Sequence, residues 1–280
     1  MTYVIYGDSR VLADRTVDFT TVTESALARA TADQLQILYT RYEFAGRLAS
    51  GNEVLEVACG AGIGLGLVAA GARSVVGGDI EEAHCKIASQ TYDGDPRVRI
   101  QRLDAESLPF PDRSFDLVIL FEALYYLPRP ERFFSEARRV LRPGGVLLIS
   151  SVNCEWPGFS PSPFSTRYFN ARELAEALVR HGFGVRLLAG FPEDTSGLIR
   201  GCVSLIRRAA VRFHLIPKTM KGKEWLKRIF YGKLTAIPRR LSEGMLEREP
   251  LVDVGDSNDV SRYRFIYAIG KMSTSPEMPQ

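Results

Sequence analysis

The chain is short of several things at once. No apolar run approaches the ~20 residues that a membrane-crossing helix needs. Residues 1–10 carry Asp8 and have no apolar core of the signal-peptide kind. Cysteine is sparse, and Cys59, Cys85, Cys154 and Cys202 form no C-x-x-C pair. Neither a disulfide framework nor a cysteine metal site is expected, and free thiols in a reducing compartment are the simplest reading. His84 and His214 also lack metal-ligand spacing, so no metal is expected. Net charge is small, +3 over 280 residues, less than a protein wrapped in nucleic acid usually shows. No internal repeat is visible. What remains is an ordinary globular composition, 45% hydrophobic and 25% charged, with enough chain for one or two domains and a proper core. A cytoplasmic location is expected.

Apolar strands and amphipathic helices alternate along the first half. Thr31 with Gln34 three residues on reads as a capping box. Leu35, Leu38, Tyr42 and Ala45 then recur at helical spacing to about Ala49, and Ser50-Gly51-Asn52 ends the run. Strands are expected at 53–58, 74–78, 98–103, 115–121 and 146–151. Helices are expected at 63–70, 81–90 and 132–141, with a turn at Pro143-Gly144-Gly145. Strands joined by helices of this length imply right-handed crossovers and a doubly wound, mostly parallel sheet of the α/β class. Further on, a helix is expected at 171–180 with a glycine stop at Gly182, then strands at 185–188 and 264–270. The implied organisation is an N-terminal helical segment (1–50), a core (51–190), a basic helical insertion (191–262), a final strand (263–272) and a disordered Ser/Pro-rich tail (273–280).

Ligands of such sheets sit outside the carboxyl ends of the strands. There the most informative stretch is Val54-Leu55-Glu56-Val57-Ala58-Cys59-Gly60-Ala61-Gly62. A strand ends at a loop whose glycines let a ligand approach the backbone, and a helix follows. Alone, Gly-x-Gly is weak, because structural glycines are common in such turns. The acids strengthen it. Asp79 closes the second strand, where a carboxylate can accept from two ribose hydroxyls. Asp104-Ala105 closes the third, where a carboxylate can accept from an adenine amino group. One such Asp taken alone reads better as a turn or cap residue; three acids at one rim beside a glycine loop do not. A dinucleotide site prefers a third glycine at the position held here by Leu65. Glu56 would also stand close to any pyrophosphate. A cationic ligand carrying an ammonium and a sulfonium suits the site better, which favours S-adenosylmethionine over NAD.

With these residues in view, the chain resembles the class I S-adenosylmethionine-dependent methyltransferases. The matching pieces are the 54–62 stretch, Gly78-Asp79-Ile80, Leu103-Asp104-Ala105-Glu106-Ser107-Leu108-Pro109-Phe110, Ser114-Phe115-Asp116-Leu117-Val118 and Arg139-Val140-Leu141-Arg142-Pro143-Gly144-Gly145. They arrive in family order over 53–151. The resemblance implies a seven-stranded sheet whose last strand, 264–270, is antiparallel. It implies that Glu56, Gly60 and Gly62 surround the methionine part of the cofactor, with the backbone of Ala58 serving where the family usually has glycine. It implies that Asp79 holds the ribose, that Ile80 packs on the adenine and that Asp104 and Ala105 read the adenine edge. Phe121 and Glu122 would face cofactor and acceptor, and Tyr42 or Arg41 would reach the methionine carboxylate. There is a looser similarity to methyltransferases of cell-surface glycan and lipid biosynthesis, through Phe164-Ser165-Thr166-Arg167-Tyr168-Phe169 and the basic insertion.

Methyl transfer from a sulfonium is an in-line displacement with a neutral leaving group. The protein mainly aligns the nucleophile and excludes water. A general base is needed only for a hydroxyl or a protonated amine, and the candidates are Glu122, Tyr125 and Tyr126, each also readable as an ordinary wall residue. His181, at a helix end, reads as a dipole partner. Residues 200–241 carry twelve Lys/Arg against one acid, Glu224, interleaved with apolar residues such as Trp225, Ile229, Phe230 and Tyr231. That pattern suits a membrane surface or a lid over an anionic acceptor; the plain alternative is a solvated insert on the sheet edge. The expected partner is a small-molecule or lipid-linked acceptor, methylated at oxygen, with peripheral contact at the inner face of the membrane. Nucleic acid is not expected, since Phe121-Glu122-Ala123-Leu124 stands where a base-amine signature would lie. The competing readings are a nicotinamide-dependent oxidoreductase and a non-catalytic methyltransferase-like binding protein. Oligomeric state is left open.

Overall fold

Glu53–Val57 (β2), Ser74–Asp79 (β3), Val98–Arg102 (β4), Phe115–Phe121 (β5) and Leu141–Val152 (β6) are the parallel heart of the sheet. The structure, a computed structural model, describes residues 29–193, 234–255 and 259–274. Expectations for residues 1–28, for most of the basic stretch (up to 233) and for the tail from 275 lie outside the described residues. Among the described residues the α-helices are Ala32–Ala49 (α1), Leu65–Gly71 (α2), Glu82–Thr91 (α3), Pro130–Val140 (α4) and Ala171–Arg180 (α5). Phe183–Pro192 (β7) and Tyr263–Met272 (β10) complete the sheet, and Val252–Asp253 (β9) adds a short edge.

The order is β4-β3-β2-β5-β6-β10-β7-β9. β10 runs antiparallel to both β6 and β7, as the resemblance implied for the last strand. Among the described residues the sheet has eight strands rather than seven because β9 pairs with β7 through Leu188 and Ala189. From β2 the chain winds outward through β3 and β4, then returns to the other side of β2 as β5. That places the topological switch point between β2 and β5, where ligands of open α/β sheets bind.

The pleat decides what faces what. Leu55, Val57, Val118, Leu120, Leu147 and Ile149 join Phe133, Phe134 and Leu174 of α4 and α5 in one apolar layer. Val54, Leu117, Ile119, Phe121 and Leu148 join Leu38, Tyr42, Leu65 and Val68 of α1 and α2 in the other. Fully burying each such side chain contributes about 1.5–3 kcal/mol. Glu56, two residues beyond Val54, therefore projects toward α1 and α2.

Several boundaries differ from the sequence reading. α4 begins at Pro130, which is pre-shaped for a first helical position. The turn expected at Pro143-Gly144-Gly145 lies inside β6, where Gly144 has φ +79° and a register shift separates the Phe115 and Leu117 pairs. Arg142 pins that irregular start by ion pairs to Glu53 and Asp116. The described end of the insertion is extended: Thr235–Ala236 (β8) pairs antiparallel with Arg29–Ala30 (β1). Beyond it, Leu241 N–H donates to the Ile63 carbonyl at 2.8 Å, just past the glycine loop.

Candidate functional site

The loop after β2 is left-handed at three of its residues: φ is +57° at Ala58, +55° at Gly60 and +74° at Gly62. Glycine adopts this backbone freely and alanine does so at a cost. A Cβ on Gly62 would lie 3.0 Å from Ala88 Cβ, so only glycine fits without movement. Tyr92, on the turn after α3, donates its hydroxyl to the Gly62 carbonyl at 2.7 Å and holds the loop from outside. Sequence reasoning did not single out Tyr92.

Two carboxylates stand beside the loop. Glu56 is 1% exposed. Its Oε1 accepts the Tyr42 hydroxyl at 2.6 Å, while Oε2 is buried with no hydrogen-bond partner among the described residues. Burial pushes the Glu56 carboxyl up to about 7, with nearby Asp79 adding to the rise and Tyr42 and Arg41 opposing it. Asp79, at the end of β3, is also buried. Its Oδ2 accepts the Gly60 N–H at 2.9 Å and its Oδ1 the Glu81 N–H at 2.9 Å, so this carboxylate shapes the loop. His84 Nδ1 lies 3.4 Å from Oδ1. A carboxylate has about four lone-pair directions, which leaves room for further donors. Next to Asp79, Ile80 is 46% exposed, an apolar platform at the rim.

Asp104 lies past β4, exposed, with Oδ1 accepting the Glu106 N–H at 2.8 Å; Ala105 behind it is buried. Its strand pairs with β3 in register, and the Leu103 N–H donates to the Asp79 carbonyl. Glu56 is thus next to last in β2, Asp79 last in β3 and Asp104 two residues beyond β4, on three adjacent strands.

Across the switch point, Phe121 ends β5 and packs edge-on against Tyr42, ring centres 5.2 Å apart. Glu122 follows with φ +50°, a strained backbone for a non-glycine residue. Its carboxylate accepts Ser150 Oγ at 2.9 Å, the Val152 N–H at 3.2 Å and the Tyr125 hydroxyl at 3.4 Å. Arg41, itself buried, adds an ion pair at 3.5 Å. Arg41 therefore faces Glu122 and the Phe121 ring, 5.6 Å from its centroid. Tyr125 stacks on Tyr168 at 4.6 Å, and the Tyr126 hydroxyl donates to Ser162 Oγ. Burial raises both the Tyr125 and the Tyr126 phenols above the ordinary range, so at neutral pH each is a donor rather than a base. The signal for Ser150 was present in the sequence, as a polar residue ending the apolar run Val146 to Ile149.

Comparison with known proteins adds a family match to this geometry. Residues 55–149 match the family described as "Methyltransferase domain". Over that span the chain is similar to the methyltransferase domains of that family. A "probable S-adenosylmethionine-dependent methyltransferase" of Mycolicibacterium smegmatis is 40% identical over 57% of this chain and 60% of its own length. A phthiotriol/phenolphthiotriol dimycocerosates methyltransferase of Mycobacterium ulcerans is 37% identical over 47% of this chain and 50% of its own. The chain thus spans between half and two thirds of these relatives. An S-adenosylmethionine-dependent methyltransferase of Thermotoga maritima shares the fold, with a TM-score of 0.52 at 19% identity over 84% of this chain and 88% of that one.

S-adenosylmethionine is the cofactor that the first of these relatives' names gives, and the residues present here fit it. The orphaned Glu56 oxygen suits an ammonium, the left-handed loop brings backbone close, Asp79 keeps free lone pairs and Ile80 offers an apolar face. Among the described residues no three His, Cys, Asp or Glu side chains gather to hold a metal ion.

Proposed function

We propose that this chain transfers a methyl group from S-adenosylmethionine to a hydroxyl of a small-molecule or lipid-linked acceptor. The observation that carries the cofactor half is Glu56, buried in the sheet end with one oxygen unpaired beside the left-handed loop. Asp79 would hold the ribose, Ile80 the adenine face and Asp104 with Ala105 its edge, while Gly60 and Gly62 leave room for the methionine part. The cofactor, when bound, supplies a methyl on a sulfonium with a neutral leaving group. Glu122 then has the acceptor-side role. It is the one candidate among Glu122, Tyr125 and Tyr126 that accepts rather than donates, and Ser150, Val152 and Arg41 hold it in place.

Two features support a lipid-linked acceptor. One is the M. ulcerans relative, whose name gives phthiotriol and phenolphthiotriol dimycocerosates. The other is the basic, apolar-interleaved stretch 200–241. No helix among the described residues is long and apolar enough to cross a membrane, so contact with a bilayer would be peripheral.

Calorimetry with S-adenosylhomocysteine tests the cofactor half. Asp79→Ala should weaken binding by about 2 kcal/mol, roughly thirtyfold in Kd, as charge-assisted hydrogen bonds are lost. Unchanged affinity, or binding of NADH instead, overturns the assignment. For the acceptor, labelled cofactor should mark the lipid fraction of a cell extract rather than its nucleic-acid fraction. In liposome sedimentation the protein should pellet with anionic vesicles; equal recovery in the supernatant with and without them removes the membrane contact.

A further inference from the structure

The site holds a buried acid whose pairing is half complete. On the face of the sheet covered by α1, Tyr42 donates to Glu56 Oε1 at 2.6 Å, and its ring lies against Gly64, where a Cβ would come within 2.2 Å of it. Tyr42 also packs on Phe121. The phenol is thereby clamped between loop, helix and β5. Oε2 of the same carboxylate has no hydrogen-bond partner among the described residues, although Glu56 is 1% exposed. An ionised carboxylate in that state would leave a charge out of water with one donor on it, which is costly. A protonated one would be ready to exchange its proton for a cation.

We propose that Glu56 binds its cationic ligand by proton exchange, one proton leaving Oε2 as an ammonium docks there, with Tyr42 as the positioning residue that holds Oε1 and sets the pH at which the exchange occurs. The inference rests on the cofactor reading above and adds a linkage to it. In balanced form, the carboxylic acid and the ligand ammonium become a carboxylate–ammonium pair plus one proton released to solvent.

The charged and titratable groups around Glu56 fit this. From α1, Tyr42 donates to it and Arg41 favours its ionised form. From β3, Asp79 disfavours that form, and the burial that dominates brings the group to about 7. In the loop, Cys59 is pushed up by burial and by Glu56, so the thiol stays neutral. On the far side of the loop, Tyr92 is likewise raised and remains a phenol. Within the sheet, Glu56 lies between Gly77 and Ile119, neither of which titrates. His84, 3.4 Å from Asp79, is the alternative source of a proton.

The test is calorimetry of S-adenosylhomocysteine binding in buffers of differing ionisation enthalpy, which counts protons released. The wild-type protein should release close to one proton per site at about pH 6 and almost none by about pH 8.5. Its apparent affinity should fall about tenfold per pH unit below 7. Glu56→Gln should bind more weakly with no proton release at any pH. Tyr42→Phe removes a hydrogen bond that favours the carboxylate, so its release window should move to higher pH. Wild-type binding without proton release, release that persists in Glu56→Gln (assigning it to His84), or a Tyr42→Phe window unmoved would each overturn the inference. No binding in any buffer would remove the cofactor reading and the inference with it.

Discussion

Ala58 stands where a glycine would be unstrained. Its φ of +57° costs an L-residue about 1–2 kcal/mol, against the roughly 0.5–1 kcal/mol that glycine loses in chain entropy. Its methyl packs against the apolar layer under α4, which offsets part of the difference. Ala58→Gly should therefore raise stability on the order of 0.5 kcal/mol, read as a higher urea midpoint at unchanged slope. A lower midpoint would show that the methyl contact outweighs the strain. Glu122 is the second strained residue, and its carboxylate contacts explain why the strain persists. That Ala58 replaces a usual glycine was legible in the sequence. That it bends left-handed was not, because φ follows from how β2 and α2 are held by the sheet.

At the scale of elements, the start of α1 was readable from its capping box. Both arms of the Thr31 and Gln34 capping box are formed, as the spacing predicted. α5 carries an equivalent box that was not singled out: Asn170 Oδ1 accepts the Glu173 N–H at 2.8 Å, and Glu173 Oε2 accepts the Asn170 N–H at 3.1 Å. Asn170→Ala should cost about 1 kcal/mol, seen as a lower melting temperature with the cofactor affinity untouched. Strand interiors were equally legible from their apolar runs. The start of β6 was not, because Gly144-Gly145 reads as a turn until Arg142 is seen anchored to Asp116 of β5 and Glu53 of β2.

For the whole molecule, the buried acid at the centre of the site makes stability depend on pH. Glu56 titrates near 7 in the folded chain against an ordinary 4.5, so folding takes up a proton. Its contribution is full below the unfolded value and is lost as pH rises through about 7. Glu136 acts in the opposite direction: hydrogen bonds from Arg139 hold it low, and its contribution is lost as pH falls through the acid range. The cofactor-free protein should therefore lose thermal stability between about pH 5 and 8, and Glu56→Gln should flatten that slope. A slope unchanged in the variant would assign the effect to another group.

The amino-acid sequence alone determined the alternation of strands and helices, the glycine loop, the strand-end acids and the antiparallel last strand. These depend on local periodicity, on turn chemistry and on a family pattern carried in short contiguous motifs. Only the tertiary structure decided that Tyr42 meets Glu56, that Arg41 turns to Glu122, that Ser150 and Val152 hold that same carboxylate and that β9 extends the sheet. Each of these joins residues from different elements. Their contact depends on how α1 crosses the sheet and in what register β5, β6 and β7 lie against their neighbours, which hydrophobic period by itself does not encode.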